Sequence, residues 1–166
     1  VTDENGCTNT LTVSLPNAGG LNAESTSTNV SCNGGANGTA TLNASGGTEP
    51  YTYSWNTNPV ETTQSVTGLE AGTYTGTITD DVGCVFTVMV TITEPEALTV
   101  SATHEDILCN GQATGTATAN VAGGTGPYSY SWDTTPEQTT DEITGLIAGT
   151  YTVAVTDANG CEASAT

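Results

Sequence analysis

The sequence predicts an all-β protein made of tandem β-sandwich repeats. The first observation is a gapless internal period of 77 residues, which is the spacing between Cys7, Cys84 and Cys161. At this spacing, Cys32–Met89 and Cys109–Thr166 are identical at 33 of 58 aligned positions. The second is an alternation of apolar and polar side chains with the two-residue period of a half-buried strand. The third is that Gly, Asn and Asp turns separate these segments every ~8–12 residues. Together they predict one folded unit copied along an elongated rod or filament.

The period divides the chain into one complete repeat and two partial ones. Residues 21–97 are expected to form the complete repeat. Residues 1–20 are expected to be the C-terminal remnant of a preceding repeat, and residues 98–166 a repeat that lacks the end of its last strand. The segment Glu94–Ala97 is predicted to be a short, stiff linker, because its proline fixes one backbone dihedral.

The first half of the complete repeat is predicted to contain strands A, B and C. Strand A is placed at Leu21–Val30 and is followed by two Asn-Gly turn pairs. Strand B, Gly38–Ser45, alternates inward Ala and Leu with outward Thr and Asn. Strand C, Tyr51–Trp55, carries two tyrosines and a tryptophan on one face. A short C′ strand or a crossing loop is expected at Asn56–Thr63.

The second half is predicted to contain strands E, F and G, at Gln64–Leu69, Thr73–Thr79 and Val85–Thr93. Tyr74 stands where a tyrosine corner is expected, with its hydroxyl bonded to upstream backbone. Strand G alternates apolar residues with Thr and follows a hairpin turn that has Gly at its left-handed position. No segment shows a helical period with caps. The pattern therefore predicts an immunoglobulin-like sandwich.

Composition excludes several classes of function. The chain has no Lys or Arg and 18 Asp and Glu, for a formal charge of −18. Nucleic acid and anionic lipid are therefore not expected as partners, because both bind cationic side chains. No apolar run reaches the ~18 residues of a membrane span, so direct membrane insertion is not expected. Five Cys at two positions of the repeat are typical of an oxidised, extracellular protein.

No catalytic residue is predicted, and the chain is not expected to be an enzyme. The single His104, with Glu105 and Asp106, is interpreted as a solvated loop trio. Trp55 and Trp132 could stack on sugars, but they share a strand face with two tyrosines, which favours a place in the core.

A calcium site between repeats is the one cofactor that the sequence suggests. Glu94, Glu96, Asp157 and Asn159 offer oxygen atoms of the kind that Ca²⁺ prefers. These residues do not form a loop of fixed ligand spacing. No other metal or cofactor is expected.

Five segments together resemble a known family. They are Cys32–Thr41, Gly46–Trp55, Leu69–Tyr74, Thr79–Cys84 and Ile92–Pro95. The combination closely resembles the SprB-type repeat of large cell-surface adhesins from gliding Bacteroidetes. The resemblance implies an exported filament, secreted by the type IX route, that contacts a substratum or surface polysaccharide and is moved by motility machinery. It supplies no catalytic residues. The Asp133-Thr134-Thr135 segment also resembles the O-glycosylation acceptor of exported proteins in that phylum, which makes Thr134 a candidate.

The cysteines can be paired in two ways. Strand order places Cys32 beside the A–B loop and Cys84 at the F–G turn, at opposite ends of a sandwich and about 20 Å apart. Since a disulfide needs Cα atoms within ~7 Å, a bond between repeats, Cys32–Cys161, is expected. Cys84, Cys109 and Cys7 would then bond to residues of repeats outside this sequence. The alternative places one bond within each repeat, Cys32–Cys84 and Cys109–Cys161.

The sequence thus predicts the repetitive shaft of an extracellular cell-surface adhesin, with neighbouring repeats of the same chain as its first partners. One alternative is an array of carbohydrate-binding modules. Another is a passive spacer in a secreted multidomain enzyme.

Overall fold

The computed structural model describes residues 20–166, and no helix occurs among them. The remnant expected at residues 1–20 therefore lies outside the described residues, apart from Gly20. The first repeat contains β1 Asn22–Thr28, β2 Gly38–Ser45, β3 Thr52–Trp55, β4 Ser65–Leu69, β5 Gly72–Thr79 and β6 Val85–Ile92. The second contains β7 Thr99–Glu105, β8 Gly115–Ala122, β9 Ser129–Trp132, β10 Glu142–Leu146, β11 Val153–Thr156 and β12 Glu162–Ala165.

Each repeat is a sandwich of two antiparallel three-stranded sheets. The first repeat has the strand orders β1-β2-β4 and β3-β5-β6, and the second has β10-β8-β7 and β12-β11-β9. These are strands A, B and E packed on strands C, F and G, so the predicted all-β immunoglobulin-like fold is confirmed. No strand forms between residues 56 and 64, and this segment is the crossing loop.

The last strands of the two repeats differ in length. In the first repeat, β6 pairs with β5 over eight residues, from Val85 to Ile92. In the second, β12 pairs with β11 over four residues, from Glu162 to Ala165. Val90 and Ile92, near the end of β6, are 4% and 1% exposed and pack in the core of the first repeat.

Each repeat has its own apolar core. Trp55, Leu42 and Ile78 lie in the first core, and Trp132, Ile143 and Val153 lie in the second. Both tryptophans are 1% exposed, and the indole Nε1–H of Trp55 donates to the carbonyl of Thr63 at 3.0 Å. The tryptophans are thus structural residues, as the strand pattern favoured.

The turns follow the predicted chemistry in most places. The hydroxyl of Tyr74 donates to the carbonyl of Glu70 at 3.0 Å, and Tyr151 repeats this bond with Ile147, which gives each repeat its tyrosine corner. His104 differs from the expectation, because it lies within strand β7 rather than in a loop. Its side chain is exposed and lies 3.5 Å from the carboxylate of Asp106.

Candidate functional site: the joint between the repeats

The two repeats are covalently bonded to each other. Cys32, in the loop after β1, forms a disulfide with Cys161, at the turn before β12. The S–S distance is 2.08 Å, the Cα atoms are 5.7 Å apart, and 129 positions separate the two residues in sequence. Within the described residues Cys84 and Cys109 are exposed thiols, so neither bond of the intra-repeat pattern is present.

Strand direction explains why these two cysteines meet. In this sandwich β1 runs toward the end from which the linker leaves, so the β1–β2 loop lies at the C-terminal pole of the first repeat. The β11–β12 turn lies at the N-terminal pole of the second repeat, where the linker enters. The linker holds these two poles together, and the cysteines are at the contact.

A hydrogen bond across the joint lies beside the disulfide. The side-chain amide of Asn159 donates to the carbonyl oxygen of Ser31 and to Oγ1 of Thr125, each at 3.0 Å. Ser31 is fixed in turn by Asn37, whose Oδ1 accepts from the Ser31 backbone N–H at 3.0 Å. Asn159 therefore connects the β11–β12 turn to the first repeat.

The linker is bonded to both repeats. On the first repeat, the backbone N–H of Gly34 donates to the Glu94 carboxylate at 2.6 Å, and the Asn33 amide donates to the carbonyl of Pro95 at 3.1 Å. On the second, the N–H of Gly124 donates to the carbonyl of Glu96 at 2.9 Å. These bonds and the disulfide restrict how the repeats can bend about the linker.

A buried aspartate shapes the turn that presents Cys161. Asp157 is 6% exposed, and its carboxylate accepts from the backbone N–H groups of Thr125, Asn159 and Cys161 at 2.8 to 2.9 Å. Burial alone would raise the pKa of Asp157, but these hydrogen bonds outweigh burial and lower the pKa below its ordinary value. The ionised carboxylate thus ties the turn to the neighbouring β8–β9 loop.

The first repeat has the same arrangement around Asp80. Its carboxylate accepts from the N–H groups of Thr48 and Cys84 at 3.0 and 2.7 Å. Burial again opposes ionisation of this carboxyl group, and backbone hydrogen bonds again lower its pKa. The turn that carries Cys84 is therefore built like the turn that carries Cys161.

The residues suggested for calcium take part in these contacts. The Asp157 oxygens accept three N–H groups, the Glu94 carboxylate accepts from Gly34, and Glu96 uses its backbone carbonyl. Among residues 20–166 no group of three or more His, Cys, Asp or Glu side chains is placed to hold a metal ion. Calcium binding at the joint stays a prediction.

The O-glycosylation candidate lies at the surface of the second repeat. Thr134 is half-buried in the loop after β9, where its Oγ1 accepts from the backbone N–H of Gln138 at 3.0 Å. Its neighbour Asp133 accepts from the N–H of Thr152 at 2.8 Å. Modification of Thr134 stays a prediction.

Sequence analysis did not predict that the carboxylates of Asp80 and Asp157 are buried. Asp80 is 5% exposed, whereas its neighbour Asp81 in the same turn is exposed. The available signal was position, because an Asp stands four residues before the turn cysteine in both described repeats. An Asp at the first position of a turn accepts from the backbone N–H groups that follow it.

Comparison with protein families gives one match in each repeat. The SprB repeat model matches residues 24–60 and 101–135. Both described repeats thus resemble the SprB repeat. Each match begins in the first strand of the repeat and includes one cysteine and the core tryptophan: Cys32 and Trp55, or Cys109 and Trp132. The resemblance seen in the sequence is therefore confirmed.

Solved structures similar to this chain come from Dscam. The structure described as "Structural basis for Dscam isoform specificity" is 12% identical, with a TM-score of 0.36 over 86% of this chain and 45% of that chain. The structure of the N-terminal eight Ig domains of DSCAM isoform 1.30.30 is 13% identical, with a TM-score of 0.34 over 85% and 20%. The chain thus spans less than half the length of these structures. Comparison with curated proteins gives no match.

SprB repeats with a disulfide-bonded immunoglobulin-like fold are typical of extracellular proteins. The fold and the family fit a structural, adhesin-like repeat rather than an enzyme. Residues 20–166 contain no helix of the length and apolarity needed to cross a bilayer.

Proposed function

We propose that this chain is part of the shaft of an extracellular cell-surface adhesin, and that the adhesin serves surface attachment and gliding motility. The shaft is exported by the type IX route, contacts a substratum or surface polysaccharide at some point along its length, and is moved by motility machinery. The repeats themselves act as a rod of fixed geometry that carries tension.

The observation that carries this proposal is the bond between repeats. Tension along the chain at the joint passes through the linker and, in parallel, through Cys32–Cys161. The disulfide and the hydrogen bonds from Gly34, Asn33 and Asn159 oppose bending and rotation about the linker. A shaft that transmits force from a motor to a surface needs this resistance, whereas a flexible tether does not.

The charge of the chain also fits an extended shaft. With 18 acidic and no basic residues, neighbouring repeats and neighbouring filaments repel each other. The repulsion favours a solvated, extended array and opposes non-specific association with other copies.

The carbohydrate-binding alternative finds less support. Trp55 and Trp132 are the largest aromatic side chains of the repeats, and both are buried in the cores. Sugar stacking needs an exposed aromatic face, so these two residues do not provide one. A passive spacer would need the same rigid repeats as a shaft. The experiment below distinguishes these two functions.

The test is a bead assay on living cells of the source organism. Beads are coated with antibody raised against residues 21–97, and matched beads carry non-immune antibody. Specific attachment followed by transport along the cell surface is the expected result. Specific attachment without movement would contradict the motility role and leave a static stalk. No specific attachment, with the repeats found in the medium, would favour the spacer of a released enzyme.

A further inference from the structure

The disulfide gives the repeat pair a short covalent route from one repeat to the other. Along the backbone, the route from Leu21 to Thr166 passes through every strand of both repeats and the linker. Across the Cys32–Cys161 bond, the route contains only the 12 residues Leu21–Cys32 and the 6 residues Cys161–Thr166. This short route, which we call the strap, bypasses the 129 positions between the two cysteines.

The strap consists largely of extended β-strand. β1 runs toward the joint and β12 runs away from it, so the two strands follow the same direction. Each lies at the edge of its sheet, in the orders β1-β2-β4 and β12-β11-β9. A strand already rises about 3.3 Å per residue, close to the limit of about 3.6 Å for a fully stretched chain. The strap therefore has little slack, and the residues that can straighten are mainly those between Thr28 and Cys32.

The longer route through the linker depends on non-covalent contacts. It stays compact under tension only while the strands of both sandwiches remain paired. At the C-terminal pole of the first repeat it joins the strap through two hydrogen bonds. The N–H of Val30 donates to the carbonyl of Thr93, and the N–H of Thr93 donates to Oδ1 of Asn29, each at 3.0 Å. Such bonds are far weaker than a covalent bond, so under rising tension the linker route gives way before the strap.

We propose that the strap is a mechanical stop that fixes the length of the repeat pair under tension. Force along the chain passes through β1, the disulfide and β12, and it does not have to pass through either core. Without the bond, unfolding of both repeats adds the 129 positions between the cysteines to the stretched chain, which is about 430 Å. With the bond, straightening of the residues before Cys32 adds no more than about 20 Å.

A stop of this kind matters for a shaft that moves a load. Ordinary domains in series lengthen as they unfold, so a displacement at one end is absorbed before it reaches the other. A pair of fixed length passes the displacement on. The proposal rests on the shaft function proposed above and deepens it by naming the residues that carry the tension. Its test uses the isolated chain, so a negative result there would leave the outcome of the bead assay on cells unaffected.

The test is force spectroscopy on the full chain. One handle is attached through an azide-bearing residue at position 20, because a Cβ added to Gly20 would meet no atom within 4 Å. The other handle is a tag after Thr166. The background Cys7→Ser/Cys84→Ser/Cys109→Ser leaves one possible disulfide, and peptide mapping verifies the Cys32–Cys161 bond of this closed form. The matched open form also carries Cys32→Ser/Cys161→Ser, and circular dichroism checks that both forms are folded.

The two forms should differ in how far they lengthen at the same tension. At tensions that unfold both repeats of the open form, that form should lengthen in two steps, and its final length should exceed that of the closed form by about 430 Å. The closed form should lengthen by no more than about 20 Å. A closed form that lengthens well beyond this limit without reductant would refute the taut arrangement of β1 and β12.

A second measurement identifies the bond that bears the force. A glutathione thiolate attacks one sulfur of Cys32–Cys161 and forms a mixed disulfide, while the S–S bond breaks and the other sulfur leaves as a thiolate that takes up a proton. Tension along the S–S bond assists its cleavage. With reduced glutathione present, the closed form should therefore release its hidden length of about 430 Å after shorter waiting times as the tension is raised. Waiting times that do not change with tension would show that the force runs through the linker and would overturn the proposal.

Discussion

Removing the inter-repeat disulfide should destabilise both repeats, although it lies in neither core. The perturbation is the double variant Cys32→Ser/Cys161→Ser, which leaves no unpaired thiol at the joint. If both repeats unfold together, the bond closes a loop of 129 positions. If the second repeat unfolds alone, the loop runs through the folded first repeat, and its unfolded part is only the stretch from Ala97 to Cys161.

The loop-closure expression gives about 5 kcal/mol of unfolding free energy for the longer loop and about 4 kcal/mol for the shorter. Measured disulfides more often contribute about 2–4 kcal/mol, so a loss of at least about 2 kcal/mol is expected. For a repeat of this size, such a loss lowers Tm by about 8 °C or more. The expected loss is similar for the two repeats, because the loop through the first repeat, from Cys32 to Pro95, is nearly the same length.

Tryptophan fluorescence can follow the two repeats separately. The Trp132→Phe background reports on the first repeat through Trp55, and Trp55→Phe reports on the second through Trp132. Each background is compared with and without the cysteine substitutions, at a concentration where light scattering shows monomers. The matched control is Cys84→Ser/Cys109→Ser, which removes two exposed thiols and should leave Tm unchanged. An unfolding free energy within about 0.5 kcal/mol of the parent, or a Cys32–Cys84 linked peptide from the oxidised protein, would refute the reasoning.

Three further predictions concern single side chains. Trp55→Ala should lower the unfolding free energy of the first repeat by about 3–5 kcal/mol. The unfolding transition of the second repeat, followed by Trp132 fluorescence, should be retained because the two cores are separate. Simultaneous loss of both transitions would contradict this. Asp80 and Asp157 have lowered pKa values in the folded protein, so their contribution to stability is present above the unfolded-state pKa of about 4 and is lost as pH falls through the folded value. Urea unfolding from pH 7 down to pH 2 should therefore show a loss of stability that Asp80→Asn/Asp157→Asn reduces, and Asp81→Asn, in the same turn but exposed, serves as the control. Gly123→Ala should destabilise the joint by more than about 1 kcal/mol. The reason is that Gly123 has a φ of 70° and that a Cβ there would collide with the carbonyl oxygen of Ala97. A Tm equal to that of the parent would show that the linker contact is dispensable.

Local patterns in the sequence were enough to predict the strands. The expected strand B, Gly38–Ser45, has the observed bounds, and the other five differ by one or two residues at their ends. Alternation predicts the strands because each sheet buries one face, so side chains at every second position of a strand are buried. Residues 56 to 63 show no alternation of apolar and polar side chains, so the sequence does not distinguish a C′ strand from the crossing loop that the structure has there.

The joint was predictable in outline and not in detail. The positions of Cys32 and Cys161 followed from strand direction, which depends only on element order. The bonds of Asn159 to Ser31 and of Gly124 to Glu96 depend on the angle at which two poles meet, and no periodic pattern encodes that angle. The burial of Asp157, which the sequence suggested only as a calcium ligand, was not predictable for a related reason: its partners are backbone N–H groups, which every sequence has.

The Cys32–Cys161 bond also changes what a single cut in the backbone can do. The 129 peptide bonds between these residues form a closed covalent ring that contains the linker and nearly all of both repeats. A protease that cleaves any one of them opens the ring but releases no fragment, because the two new ends stay connected through sulfur. Separating the chain before this stretch from the chain after it takes one cut and one reduction, because a second cut frees only the fragment between the two cuts. An exposed extracellular fibre built in this way survives damage that would sever a chain without such rings.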